Sequence, residues 1–176
     1  MEGFGCFVDF GFGFTCENSS ADSLRLDDAP PDSVNWSWRP YIAPALTDFG
    51  DPLTTTSYDF CVIDYDTATP TGPLLLFAAA MPAGSSWRQT HSGFYFRSAD
   101  KKMRARIKTG SGGGQPKVLL RAKGPVYDVA YLPPLGTVEV LLHTSDGVTP
   151  SHCFASFFGP PITSTETKYK AQNPTP

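Results

Sequence analysis

Three histidines and four cysteines are the residues of this chain best equipped for chemistry, and their spacing limits what that chemistry could be. His91, His143 and His152 are scattered. His143 and His152 flank one predicted turn, but no third ligand for a zinc site is apparent, so they read as surface or hairpin histidines. Cys6, Cys16, Cys61 and Cys153 include no CxxC pair, which argues against a zinc ribbon or a thioredoxin-like motif. An even number of such cysteines reads as two disulfides, and disulfides imply export to an oxidising compartment. The sequence holds no GxSxG, HExxH, P-loop or dinucleotide fingerprint. Asp64 and Asp66, beside a Thr/Gly loop, could lend oxygens to Ca²⁺, which wants about six or more. No metal and no cofactor is expected, and the chain reads as a non-enzyme.

The sharpest pattern lies at the N-terminus. Phe4, Cys6, Val8, Phe10, Phe12, Phe14 and Cys16 occupy every even position from 4 to 16, against Gly5, Phe7, Asp9, Gly11, Gly13 and Thr15. In an extended strand these seven groups share one face. Such a strand would span on the order of 40 Å, with Cys6 and Cys16 about 33 Å apart. A disulfide needs its Cα atoms within about 7 Å. The two cysteines could pair with each other only if the chain folds back at its glycines; otherwise they reach Cys61 and Cys153, in the same chain or in a neighbour. Left in water, the apolar face would be an aggregation hazard. It is either the first strand of the fold or a strand donated to an adjacent subunit.

The remaining elements are β in character. Gly and Pro together make 33 of 176 residues, and charged residues only 18%. Val34, Trp36 and Trp38 alternate with Asn35, Ser37 and Arg39. Further strands are expected at 58–65, 74–81, 94–96, 103–107, 118–123, 126–131, 137–143 and 153–158. The run from Leu74 to Met81 holds three alanines, which leaves a short helix possible there. About ten strands separated by turn residues predict an all-β fold, a β-sandwich of jelly-roll or Ig-like type with a long N-terminal strand extension. Residues 1–20 read as the extension, 21–160 as the sandwich, and 161–176 as a Pro/Thr-rich tail. No apolar run is long enough for a membrane span.

Charge is polarised along the chain. Ten of 14 Lys and Arg residues lie between Arg88 and Lys123, where Asp100 is the only acid, whereas residues 1–66 hold 12 acids and only Arg25 and Arg39 as bases. Lys102, Arg104, Arg106 and Lys108 share one strand face, and Lys117, Arg121 and Lys123 share a face of the next strand across a glycine loop. Antiparallel pairing would merge them. The merged surface reads as a solvated outer face, a fit to the acidic half of another subunit, or a site for anionic polysaccharide. Net charge of −3 and the lack of interleaved aromatics argue against nucleic acid. Trp36, Trp38, Tyr41 and Trp87 would form a sugar-stacking platform if exposed, and core aromatics otherwise. Asn18-Ser19-Ser20 and Asn35-Trp36-Ser37 fit the N-glycosylation pattern, and Thr54–Thr56, Thr67–Thr71 and Thr163–Thr167 could accept O-glycans.

From about Asp48 to Phe158 the chain resembles an uncharacterised repeat domain of secreted deltaproteobacterial proteins. The resemblance rests on Phe49-Gly50-Asp51-Pro52, Tyr58-Asp59-Phe60-Cys61-Val62, Pro82-Ala83-Gly84 with Trp87, and Gly93-Phe94-Tyr95-Phe96. It continues through the basic hairpin from Lys101 to Lys123-Gly124 and closes at Cys153-Phe154. Ser85 and Ser86 stand where that family carries a further cysteine pair. The resemblance implies a secreted β-domain and brings no activity with it. The sequence therefore predicts an extracellular or cell-surface, disulfide-bonded subunit of a fimbrial or pilus-like filament. It would be a homopolymer built by N-terminal strand donation. The alternative is a secreted carbohydrate-binding or adhesion module with that strand folded in cis, a glycoprotein or a glycan binder.

Overall fold

The computed structural model describes residues 6, 16–19, 21–65, 72–110, 115–124, 127–146 and 150–173. Among them, strand β1 spans Glu17–Asn18, β2 Asp22–Asp27, β3 Ser33–Trp38, β4 Ser57–Tyr65, β5 Leu74–Met81, β6 Trp87–Thr90 and β7 Gly93–Arg97. Then follow β8 Met103–Lys108, β9 Lys117–Lys123, β10 Thr137–Ser145, β11 Pro150–Phe158, β12 Thr163–Thr165 and β13 Lys168–Asn173. They form two sheets, one of order β1-β11-β10-β4-β5 and one of order β12-β13-β2-β3-β9-β8-β7-β6. Every pairing is antiparallel except the short β1–β11 contact. The fold is an all-β sandwich.

Period-two patterning explains the layers. Leu24 and Leu26, Val34, Trp36 and Trp38, Val118, Leu120 and Ala122, and Met103, Ala105 and Ile107 point inward from the larger sheet. They meet Tyr58, Phe60 and Val62, Val138, Val140 and Leu142, and Phe154 and Phe158 from the smaller one. The contact is aromatic: Trp36 lies 5.4 Å from Phe60 and Trp38 5.2 Å from Phe154. Both indoles find partners across the interface. Trp36 Nε1 donates to Ser156 Oγ at 3.0 Å, and Trp38 Nε1 donates to the Ala155 carbonyl at 3.2 Å. These bonds satisfy groups whose burial would otherwise cost about 1–3 kcal/mol each.

Two sequence expectations change, and at 74–81 the expected strand is the one of two open readings that holds. The 74–81 run is a strand throughout, with no helix. The expected strand at 126–131 does not form over its described residues. Instead Tyr127 packs at a tilt against Phe77, Val129 is buried, and the Ala130 amide donates to the Leu76 carbonyl at the open edge of β5. That stretch is used as an edge cover, a role that needs apolar residues but no ladder. The expected tail is also part of the sandwich: β13 pairs with β2 along its length, and Tyr169 and Ala171 are buried. Lys168-Tyr169-Lys170-Ala171 alternates as a half-buried strand should, which outweighs the Pro/Thr composition around it.

Asp22 is a buried acid near the start of β2. Asn173 Nδ2 donates to its Oδ2 at 3.5 Å, while Oδ1 has no partner among the described residues. Burial raises its pKa above the usual carboxylate value, partly opposed by hydrogen bonds from Ser156, Ser19 and Asn173. The folded state thus holds this proton more tightly than the unfolded chain, and stability falls as pH rises through the interval between the two values. Asp22→Asn is expected to raise the urea midpoint at neutral pH and to match the parent below about pH 3.9, the unfolded value. A midpoint lowered equally at both pH values would contradict this. Tyr169→Ala should cost about 3–5 kcal/mol in the same measurement, in the range of a large buried aromatic; an unchanged midpoint would restore the tail.

Candidate functional site

Among the described residues the larger sheet leaves one broad face uncovered, and its charge is positive apart from Asp27. Eleven of the 14 Lys and Arg residues lie on β2, β6, β7, β8, β9 and β13, and Lys101 and Lys102 form the turn into β8. Because the inward positions are filled by the core, these cations project outward. Arg104 pairs in register with Arg121 and Lys108 with Lys117, while Arg106 faces Leu119. Lys102, Arg104, Arg106, Lys108, Lys117, Arg121 and Lys123 therefore do share one surface, as the sequence suggested.

Long-range pairing extends this surface beyond the hairpin. Arg97 of β7 is opposite Arg104, Arg104 opposite Arg121, and Arg121 opposite Asn35 of β3. Asn35 is opposite Arg25 of β2, which is opposite Lys170 of β13. Six strands thus place five cations and one amide in a single row. At about 4.8 Å per strand the row is about 24 Å long. Lys102, Lys123 and Lys168 flank it. Arg25, Lys168 and Lys170 could not be assigned to this face from local sequence, since only the β3–β9 and β2–β13 pairings bring them there.

Acidic compensation is sparse. Asp27 is the single acid on the outward side of these strands; it accepts from Arg25 at 2.7 Å and lies 3.9 Å from Lys168 Nζ. Burial pushes the Asp27 carboxyl up, but bonds from Arg25 and Ser33 and the charges of Arg25 and Lys168 together hold it below its ordinary value. Arg97, Arg104, Arg106, Arg121 and Lys170 have no carboxylate partner among the described residues. Tyr95 is the one aromatic on the face, and Arg88 lies 4.5 Å and Arg106 5.9 Å from its ring centre. A depression of about 890 Å³ at the row is lined by Arg25, Asn35, Arg104 and Arg121, with Asp27, Lys102 and Lys123. Gly124 shapes its rim: a Cβ there would lie 3.0 Å from the Lys102 stem.

The expected tryptophan platform is corrected. Trp36, Trp38 and Trp87 are at most 4% exposed and belong to the core, because their rings fill the space between the sheets. Of that set only Tyr41, 66% exposed, faces solvent. Asn18 is exposed on β1, whereas Asn35 sits within the cationic row. His143 and His152 lie on adjacent strands, with His143 opposite Cys153 and His152 opposite Thr144. Burial pulls the His143 imidazole below its usual pKa, against the raising effect of Asp59. Asp64 is a structural bracket, fully buried, accepting from Tyr131 Oη and from the amides of Leu135 and Gly136. Asp66 lies outside the described residues. One cluster absent from the sequence reading is Asp28, Asp32 and Asp128, whose carboxylate oxygens lie within 4.8 Å of one another.

Both disulfides close within the chain, Cys6 to Cys61 and Cys16 to Cys153. Their anchors sit on the outer face of the smaller sheet, with Ile63, Leu141 and Ala155. Cys61 is in register with Leu141 and then Ala155, two residues from Cys153, so the anchors are about 12 Å apart. With Cα–Cα distances of 5.8 and 4.5 Å across the bridges, Cys6 and Cys16 are at most about 22 Å apart. Phe4, Val8, Phe10, Phe12 and Phe14 lie outside the described residues.

The two bridges fit an oxidising, non-cytoplasmic compartment. Among the described residues no helix is long and apolar enough to cross a membrane. Comparison with protein-family models, with curated proteins and with solved structures finds no match to this chain.

Cys16→Ser/Cys153→Ser is expected to lose about 2–5 kcal/mol, since that bridge spans 137 residues. Urea titration checks the cost, and mass mapping of unreduced peptides checks the pairing. A Cys6–Cys16 or interchain peptide would overturn the assignment.

Proposed function

We propose that this protein is a secreted, non-catalytic binding module that holds an acidic extracellular glycan on the outer face of its larger sheet. The observation that supports the reading is the row of Arg97, Arg104, Arg121, Arg25 and Lys170, largely uncompensated and aligned by the strand ladder. Holding like charges one strand spacing apart is unfavourable, by somewhat under 1 kcal/mol per pair at the dielectric of water. A polyanion relieves it. Arginine forks suit carboxylate and sulfate groups, which they bind bidentately.

Other partner classes fit the face less well. Protein interfaces centre on buried aromatic and aliphatic anchors, whereas this face offers only Leu119 and Tyr95 among its cations. Single-stranded nucleic acid binding relies on a series of exposed rings, and Tyr95 stands alone between two arginines. Assembly by donation of residues 4 to 16 competes with this reading. Two intrachain bridges weigh against it, because they tie Cys6 and Cys16 to the sheet of their own chain.

The protein should be retained on immobilised acidic polysaccharide and released by salt, with retention falling steeply as ionic strength rises. Arg104→Glu/Arg121→Glu should weaken binding at least tenfold without lowering the thermal midpoint. Elution in the void volume from every acidic matrix, or retention indifferent to the double variant, would refute the module. Sedimentation should give a single small species, and filaments would return the assembly reading.

A further inference from the structure

We infer that the ligand is a linear polysaccharide bearing an acidic group on successive sugars, and that it lies across the strands along the row from Arg97 to Lys170. This rests on the binding reading above and adds a direction, a length and a set of specificity residues to it.

The direction follows from where the cations repeat. Along the strands, outward side chains recur about every 6.6 Å, and β8 alone keeps its sign, from Arg104 through Arg106 to Lys108, over only about 13 Å. Strand β2 runs from Ser23 through Arg25 to Asp27, and β3 offers Ser33, Asn35 and Ser37 with no charge at all. Across the strands, the row through Arg104 keeps its sign on both sides of Asn35. The rows above and below do not. The row through Arg106 passes to Leu119, Ser37, Ser23 and Gln172. The row through Lys123 passes to Ser33 and then Asp27. Only one line on this face presents cations from β7 to β13, and it runs perpendicular to the chain direction.

The depression supplies the second half of the argument. Its lining adds Lys102 and Lys123 to the row residues, and the one acid in that lining, Asp27, is already paired with Arg25 and Lys168. A polymer laid on the row has room there for the acidic substituents on one of its sides. Asn35, uncharged at the centre, offers both a donor and an acceptor to sugar hydroxyls, which a cation could not do. Flanking cations off the line, Arg88, Lys108 and Lys117, then contribute only through long-range attraction, which salt screens.

The test uses the full-length protein, size-graded oligosaccharides of a sulfated glycan and of a polyuronate, and a single-stranded oligonucleotide of equal charge, at one ionic strength. Affinity should climb with oligosaccharide length until the ligand spans about 24 Å, then level off. Arg104→Ser and Arg121→Ser should each lose about tenfold or more, the loss of a charge-assisted contact. Arg88→Ser and Lys108→Ser, equal in charge and on the same face, should stay within about threefold, and none of the four variants should fall below the parent's thermal midpoint. Asn35→Ala should weaken glycan binding with no change in its salt dependence. Preference between the sulfated and uronate series identifies the acidic group. Equal losses from on-row and off-row variants, or saturation at a disaccharide, would overturn the row while leaving the binding module intact. Tighter binding of the oligonucleotide would overturn the polysaccharide, and absence of binding by all three probes would remove both proposals together.

Discussion

The aromatic layer between the sheets is the constraint on which the molecule depends. Trp36, Trp38, Tyr58, Phe60 and Phe154 must lie inside, and once they do, strand pleating leaves no freedom about which residues lie outside. A one-residue slip of β9 against β3 would drive Arg121 into the core and Leu120 into water. The indole bonds to Ser156 and Ala155 add a directional requirement to the apolar one, since each forces its ring to one height across the gap. The cationic face is therefore a by-product of core registry in its geometry, although its composition is not. Nothing in packing demands Arg rather than Thr at the outward positions of β8 and β9.

The two sheets differ in what covers them. The smaller one carries apolar residues on both sides, with Ile63, Leu141 and Ala155 buried on the side away from the sandwich and two disulfides fastened there. The larger carries its apolar residues on one side only. One sheet is thus committed to structure on both faces, and the other has a whole face left for solvent or a ligand. The long Lys and Arg stems also shield its backbone, and the short polar edge strands β6 and β12 discourage edge-to-edge pairing.

Much of this was legible in local sequence, and the rest failed for identifiable reasons. Alternation alone located β3, β8 and β9 and the cationic character of the hairpin. The same alternation in Lys168-Tyr169-Lys170-Ala171 went unread because threonines and prolines surround it. Trp36, Trp38 and Trp87 had the chemistry of a sugar platform, but ring type cannot say which side of a strand is wet. The row itself could not be read at all: it needs β3 beside β9 and β13 beside β2, and neither pairing is a hairpin. Such contacts are decided by the fold as a whole.

The pairing of β13 with β2 has a consequence for how the protein is made. It joins residues 168–173 to residues 22–27, so the larger sheet lacks an inner member until both segments have been synthesised. Contacts between such distant segments form slowly, because loop closure must come before any reward from pairing. The larger sheet is therefore completed late in folding, after hairpins such as β2–β3 and β7–β8 that close over short loops.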